Sequence, residues 1–169
     1  MREYKNKAIF FDRDGVINND YGYVYRIFDF EWVAGVKKVI KYLTKKNFLL
    51  IVITNQSGIA RGFYSIKDVK VLHNYINSEL SKISCKIHSF YFCPHHPQAK
   101  IKRFKKNCFC RKPGNLLIMK AVKKYKICTK DSYMIGDKKS DFLAAKKSNL
   151  KFIYINRKSF YDQVKKKIH

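Results

Sequence analysis

The chain has 169 residues, with 37 Lys+Arg against 12 Asp+Glu, a formal net charge of +25, 46% hydrophobic and 15% aromatic residues. That apolar content can bury a core and excludes intrinsic disorder, while 7 Gly and 3 Pro exclude collagen-like and low-complexity classes. No run of about 18 apolar residues is present, so no membrane span is expected, and the length fits one domain over residues 1–169.

Taken in chain order, the segment from Met1 to Lys5 reaches an apolar stretch only at Ala8–Phe11, which Asp12 interrupts. That stretch is too short for a secretory leader, so a cytoplasmic protein is expected. Residues 7–11 read as a buried strand. Residues 35–47 put Val36, Val39, Ile40 and Leu43 at helical spacing with lysines opposite, the pattern of an amphipathic helix. The continuously apolar, β-branched residues 48–53 suit a central parallel strand. Ser65 is a helix N-cap with Asp68 three residues on, and Ile66, Val69, Leu72, Ile76, Leu80 and Ile83 form the stripe that follows. Residues 87–92 read as a third strand and 93–110 as a Cys/His/Lys-rich loop. Leu116–Tyr125 reads as a helix, 133–135 as a strand, 142–147 as a helix, 152–155 as a strand, and 159–167 as an amphipathic tail piece. His73 is expected on its helix without a role, and Cys85 and Cys128 in core positions.

Strands alternating with helices predict the α/β class: a doubly wound, Rossmann-like parallel sheet. In such sheets ligands bind beyond the carboxyl ends of the strands. The polar clusters stand at those ends: Asp12-Arg13-Asp14-Gly15, Thr54-Asn55-Gln56-Ser57, Cys93-Pro94-His95-His96 and Gly136-Asp137-Lys138. Lysines, by contrast, are scattered in pairs through every segment, the pattern of solvated faces rather than of one nucleic-acid-binding surface. Acids are scarce, and Asp12, Asp14, Asp137 and Asp141 make up a third of them in two short motifs.

Two carboxylates as close as Asp12 and Asp14 repel unless a cation or proton intervenes, and oxygen ligands favour a hard ion such as Mg²⁺, which Asp137 can complete. A carboxylate beside such an ion can attack phosphorus, and a second can protonate the leaving oxygen and then activate water. The hydroxyl of Thr54 and the ammonium of Lys112 are candidates to hold the phosphoryl oxygens. Cys93, His95, Cys108 and Cys110 form two tight pairs across a loop with few apolar residues, a set suited to a closed structural Zn²⁺ site, with His95 favoured over His96 as the fourth ligand.

Asp12-Arg13-Asp14-Gly15, Thr54, Lys112 and Gly136-Asp137-Lys138-Lys139-Ser140-Asp141 resemble, in order and context, the four motifs of the haloacid dehalogenase-like phosphatases. The resemblance implies Asp12 as nucleophile, Asp14 as general acid/base, Mg²⁺ on Asp12, Asp14 and Asp137, and Asp141 as a supporting acid. It also implies no separate cap domain, since no large insertion is visible. With the zinc loop, the chain resembles from end to end the D-glycero-D-manno-heptose 1,7-bisphosphate 7-phosphatases. The matching stretches are residues 12–18, 20–24, 54–62, 93–97 and 110–113. That resemblance implies substrate contacts at Asp20, Tyr21, Gly22, Tyr23, Thr54, Asn55, Gln56, Ser57, Arg111 and Lys138. Arg61 adds a charge suited to a second phosphate. The chain departs from the family after Pro113, where Gly114-Asn115 replaces a second Pro.

The implied activity is Mg²⁺-dependent removal of the 7-phosphate of a heptose bisphosphate, supplying activated heptose for lipopolysaccharide core. Histidinol-phosphate phosphatase is the nearest alternative. A polynucleotide phosphatase or zinc-containing nucleic-acid-binding module is a further one, suggested by the charge. The expected partner is a small sugar bisphosphate, with no specific nucleic acid and no membrane, bound by a monomer.

Overall fold

The computed structural model describes residues 4–155 and 157–168; residues 1–3, which open the N-terminal segment read above, lie outside it. Five strands form one parallel sheet: β1 (Ala8–Phe11), β2 (Leu49–Asn55), β3 (Ser89–Cys93), β4 (Tyr133–Gly136) and β5 (Lys151–Tyr154), in the order β3-β2-β1-β4-β5. Strand β1 is central, paired with β2 through Ala8↔Leu49 and with β4 through Ile9↔Tyr133. The winding reverses at β1, and this switch point opens a crevice beyond its carboxyl end.

Alternation along β1 sorts the core into two faces. Ile9 and Phe11 join Leu50 and Val52 against α1 (Val36–Lys45), α3 (Ile66–Ser81) and α6 (Phe160–Lys167). Ala8 and Phe10 join Ile51, Ile53 and Met134 against α4 (Leu116–Tyr125) and α5 (Lys139–Lys147). A third cluster packs Ile59 and Ala60 of the short helix α2 (Gly58–Arg61) with Tyr64, Val69, Ala99 and Phe104. The doubly wound α/β fold expected from the alternation of elements is therefore present.

The boundaries that differ have local causes. Strand β2 runs past residue 53 because Thr54 and Asn55 still pair with Phe92 and Cys93, which puts both at the mouth of the crevice. Strand β3 starts after Ile87 because Asn77 on α3 takes that residue's backbone, accepting from its N–H at 2.7 Å and donating to its carbonyl at 2.9 Å. Helix α5 starts at Lys139 rather than 142 because the Asp141 carboxylate accepts the Lys138 backbone N–H at 3.1 Å. Helix α2, not predicted, is stopped by left-handed Gly62. The capping box at α3 forms as read: Ser65 Oγ accepts from Asp68 N, and Asp68 Oδ2 accepts from Ser65 N.

One expectation is corrected. Cys85 is buried, but Cys128 is only half-buried, its Sγ 3.3 Å from Asp131 Oδ2 at a turn. His73 is 5% exposed, stacked on Phe90 at 4.3 Å, and its Nε2 has no hydrogen-bond partner among the described residues. Burial, and secondarily the charge of Arg13, lowers its pKa to about 3. A histidine held neutral in the fold takes a proton on unfolding, so stability falls as pH drops from about 6.5 towards 3. Between pH 7 and 5 this one group should remove about 2 kcal/mol. His73→Leu is expected to shrink the acid loss by that amount in urea titrations at the two pH values; an unchanged loss would refute the account.

Candidate active site

Asp12 follows β1 directly and continues its ladder, its N–H donating to Ile135 O at 3.0 Å. Its carboxylate meets Lys112, whose ammonium lies 2.8 Å from Asp12 Oδ1, 2.6 Å from Asp141 Oδ1 and 2.9 Å from the Ile53 carbonyl. Three acceptors match the three N–H bonds of an ammonium, which fixes it in place. All three side chains are buried, with Asp141 and Lys112 at 0% and 3% exposure. Burial raises the Asp12 pKa to about 6, with Lys112 opposing and Asp141 and Asp14 reinforcing the rise. Burial alone would lower Lys112, but Asp12 and Asp141 outweigh it and hold the ammonium charged. Asn55 clamps the Lys112 backbone in both directions, accepting from its N–H at 3.0 Å and donating to its carbonyl at 3.1 Å.

Asp12, Asp137 and Asp141 converge so that one carboxylate oxygen of each lies within 4.8 Å of the others. The donor set fits a hard cation on its own geometry. Asp137 Oδ1 is buried with no hydrogen-bond partner among the described residues, and burial, together with Asp141, raises its pKa despite Lys138 and Lys112. Gly15, at φ +90°, makes the approach possible, since a Cβ there would stand 2.3 Å from Asp137 Oδ2.

The Asp14 carboxylate, expected as a third ion ligand, is elsewhere. Arg13 grips it through Nε and Nη2 at 2.9–3.1 Å, Asn18 Nδ2 donates at 3.0 Å and Gln56 Nε2 at 2.8 Å. Arg13, unassigned in the sequence reading, is fully buried.

A cavity of about 310 Å³ lies in front of this group, lined by Asp14, Asp20, Gly22, Tyr23, Asn55, Ser57, Tyr64 and Lys138. Lys138 Nζ is 2.9 Å from Asp20 Oδ2, tying the motif after β4 to the 20–24 loop. Lys138 and Gly22 N–H hold Asp20 low against the rise from its burial, and Asp20 in turn raises Lys138. Tyr21 lies outside this lining, its hydroxyl donating to Glu31. Thr54 is 1% exposed, outside this lining, and its Oγ1 accepts from Gln56 Nε2 at 2.9 Å, which leaves its own proton free to donate. Gln56, read as a substrate contact, is instead buried beneath the cavity at 1% exposure with its amide fully engaged.

Arg61 and Arg111 meet at His96. The His96 Nδ1 accepts from Gln98 N at 3.1 Å, so a neutral ring carries its proton on Nε2, which stands 3.5 Å from Arg61 Nη2. Two donors thus face each other, the Arg61 Nε is buried without a partner among the described residues, and Arg111 Nη1 donates to His95 O at 3.5 Å. Such a cluster is completed by an acceptor bearing negative charge.

The remaining cluster is Cys93, His95, Cys108 and Cys110. The sulfur pairs are 3.1–3.5 Å apart, and His95 Nδ1 is 3.3 and 3.7 Å from the Cys110 and Cys93 sulfurs. These edges are close to the roughly 3.8 Å of a tetrahedron around zinc with 2.3 Å bonds, and far longer than a disulfide. All five cysteines are free. Contrary to the reading of the loop as poorly anchored, Ala99 and Phe104 bury against Ile59, Ala60 and Tyr64. Gly114, where the chain leaves the family pattern, accommodates the Phe109 carbonyl; a Cβ there would stand 2.2 Å from that oxygen.

Comparison with known proteins agrees with this geometry. The HAD-hydrolase-like family profile matches residues 109–164. The D-glycero-beta-D-manno-heptose-1,7-bisphosphate 7-phosphatase of Helicobacter pylori strain 26695 is 44% identical over 147 residues, covering 86% of this chain and 81% of that protein. The Escherichia coli K12 protein of the same name is 41% identical over 143 residues, covering 85% and 75%. Among solved structures, the D,D-heptose 1,7-bisphosphate phosphatase of B. bronchiseptica, complexed with magnesium and phosphate, superposes with TM-score 0.78 at 26% identity, covering 86% of this chain and 78% of that one. A HAD-like phosphatase of Mesorhizobium loti gives 0.81 at 25% identity, covering 89% and 73%. The chain belongs to the D-glycero-D-manno-heptose-1,7-bisphosphate 7-phosphatase family of HAD-like hydrolases.

Proposed function

We propose that this chain is a Mg²⁺-dependent phosphatase that removes the 7-phosphate of D-glycero-D-manno-heptose 1,7-bisphosphate and leaves heptose 1-phosphate, acting in the cytoplasm. The observation that carries the reading is the buried Asp12 beside the Lys112 ammonium, with Asp137 offering an unpartnered oxygen alongside. Asp12 attacks phosphorus and the bond to the sugar oxygen breaks, giving an aspartyl-phosphate. Asp14 donates the proton that the leaving oxygen takes, and as carboxylate it then removes a proton from the water that hydrolyses the acyl phosphate. Lys112 and the Thr54 hydroxyl stabilise the charge on the peripheral phosphoryl oxygens. When bound by Asp12 and Asp137, Mg²⁺ supplies the positive charge that offsets repulsion between the anionic nucleophile and substrate.

Asp20, Gly22, Tyr23, Asn55, Ser57 and Lys138 line the space for the sugar, and Tyr21 buttresses the loop through Glu31. Arg61, Arg111 and His96 are the donors for the second phosphate, the feature that distinguishes a bisphosphate from histidinol phosphate. Phosphate release should be at least tenfold faster, in kcat/KM, from the heptose bisphosphate than from histidinol phosphate, about the effect of one charge-assisted contact. The reverse ranking would overturn the substrate assignment.

The zinc reading carries its own prediction. Cys110 is followed at once by Arg111 and Lys112, so an ion held by Cys93, His95, Cys108 and Cys110 would fix the start of the segment that carries both basic residues. Cys108→Ser is expected to reduce zinc content to a small fraction of wild type and lower kcat/KM at least tenfold. The Ala99 and Phe104 anchors confine the disorder to residues 105–111, which hydrogen exchange can map. Full zinc content with unchanged kinetics would refute the assignment.

A further inference from the structure

Gln56 and Tyr64 lie outside the groups that hold or attack phosphate, yet every polar atom of the Gln56 side chain is spent. Its Oε1 accepts from the Tyr64 hydroxyl at 2.7 Å and from Arg13 Nη2 at 3.3 Å. Its Nε2 donates one hydrogen to Thr54 Oγ1 at 2.9 Å and the other to Asp14 Oδ2 at 2.8 Å. The amide has one workable orientation. Turned over, it would press an oxygen against the Asp14 carboxylate and an NH₂ against two donors. Tyr64 is 8% exposed, and its burial raises the phenol pKa to about 12, so the hydroxyl remains a donor. The sequence makes room for it: at Gly58 a Cβ would stand 2.1 Å from the Tyr64 ring.

We propose that Tyr64 and Gln56 form a positioning relay for Asp14, in which the phenol fixes the amide and the amide fixes the carboxylate that exchanges protons with the leaving oxygen and water. Gln56 lies behind the cavity lining, and Tyr64 borders the cavity with its ring while its hydroxyl is committed to the amide. This rests on the acid/base role of Asp14 given above. Arg13 and Asn18 hold Oδ1, and Arg13 reaches Oδ2 only at 3.1 Å. Gln56 therefore sets the torsion of the carboxyl plane, which decides whether an oxygen faces the reacting atoms.

The test uses leaving groups that differ in their need for a proton. An alkyl oxygen, as in the sugar phosphate, departs only with a proton; the p-nitrophenolate of p-nitrophenyl phosphate departs without one. In Tyr64→Phe, turnover of the sugar phosphate should fall about tenfold, while the pre-steady-state nitrophenolate burst keeps its rate within about twofold. Gln56→Met, of similar volume, should show the same selectivity with a larger loss. Asp14→Asn is the reference and should be more selective still. Equal losses on both substrates in Tyr64→Phe, or none on either, would overturn the relay. An Asp14→Asn variant without selectivity would instead overturn the acid/base reading on which it rests.

Discussion

Asp12→Asn is expected to lower kcat by more than about a thousandfold while leaving the fold intact. An amide cannot form the acyl phosphate, yet its Oδ1 can still accept from the Arg13 N–H, now at 2.7 Å, and from Lys112. Burial is the larger perturbation of this carboxyl, so removing its charge does not weaken the core. Phosphate release at saturating Mg²⁺, set beside thermal unfolding, checks both halves. Retention of more than about one part in a hundred of the activity would sink the nucleophile assignment. The metal-free protein carries a companion signature. Burial raises Asp12 to about 6 there, and Mg²⁺ takes the ionised carboxylate, so its affinity should weaken as pH falls from 7.5 to 5, which calorimetric titration with Mg²⁺ measures; a pH-independent affinity would count against Asp12 as a ligand.

Lys112→Met should damage stability and activity together. Its removal leaves Asp12 and Asp141 buried without their common cation, a loss of about 3–5 kcal/mol at neutral pH. The like charges then push Asp12 further above its ordinary value. A carboxyl that binds its proton more tightly folded than unfolded gains stability as pH falls through the folded pKa, so the deficit should shrink between pH 7.5 and 5. Turnover should fall by about 10²–10³, the loss of one fixed positive charge beside the developing negative charge. Lys112→Arg is not expected to rescue it, because a planar fork cannot meet Asp12, Asp141 and the Ile53 carbonyl at once. Urea titrations at the two pH values and phosphate release measure each claim, and a variant as stable as wild type at pH 7.5 would refute the first.

What the sequence conveyed was set by how local the cause is. Alternating strands and helices follow from periodicity over a few residues, and the strand-end clusters follow from rare acids in short motifs. Asp141 shows the limit. Its acidity marks the site, but its capping of Lys138, which moves the start of α5, needs the backbone geometry as well. Arg13 is harder still. The motif alone assigns it no place, and Val24 O, Asp14 and Gln56, gathered from three segments, hold it in the interior. Gln56 was misread for the same reason: its partners Asp14 and Tyr64 lie on either side of it in sequence, and the stretch around it, taken alone, looks like pocket lining. The half-buried Cys128 had no local signal to separate it from Cys85.

The place of β1 in the sheet bears on how the protein is made. It is the first strand of the described chain and the middle one of the sheet, four apolar residues with both edges awaiting partners. One edge waits for β2 and the other for β4, which follows only near the end of the chain. During vectorial synthesis β2 covers one edge early, and the other edge beside Phe10 and Phe11 stays open until β4 has emerged, so a product stalled before β4 presents that edge to other chains. The nucleophile sits at the tip of this strand, so the site assembles only once β4 has docked there and brought Asp137 and Asp141 with it.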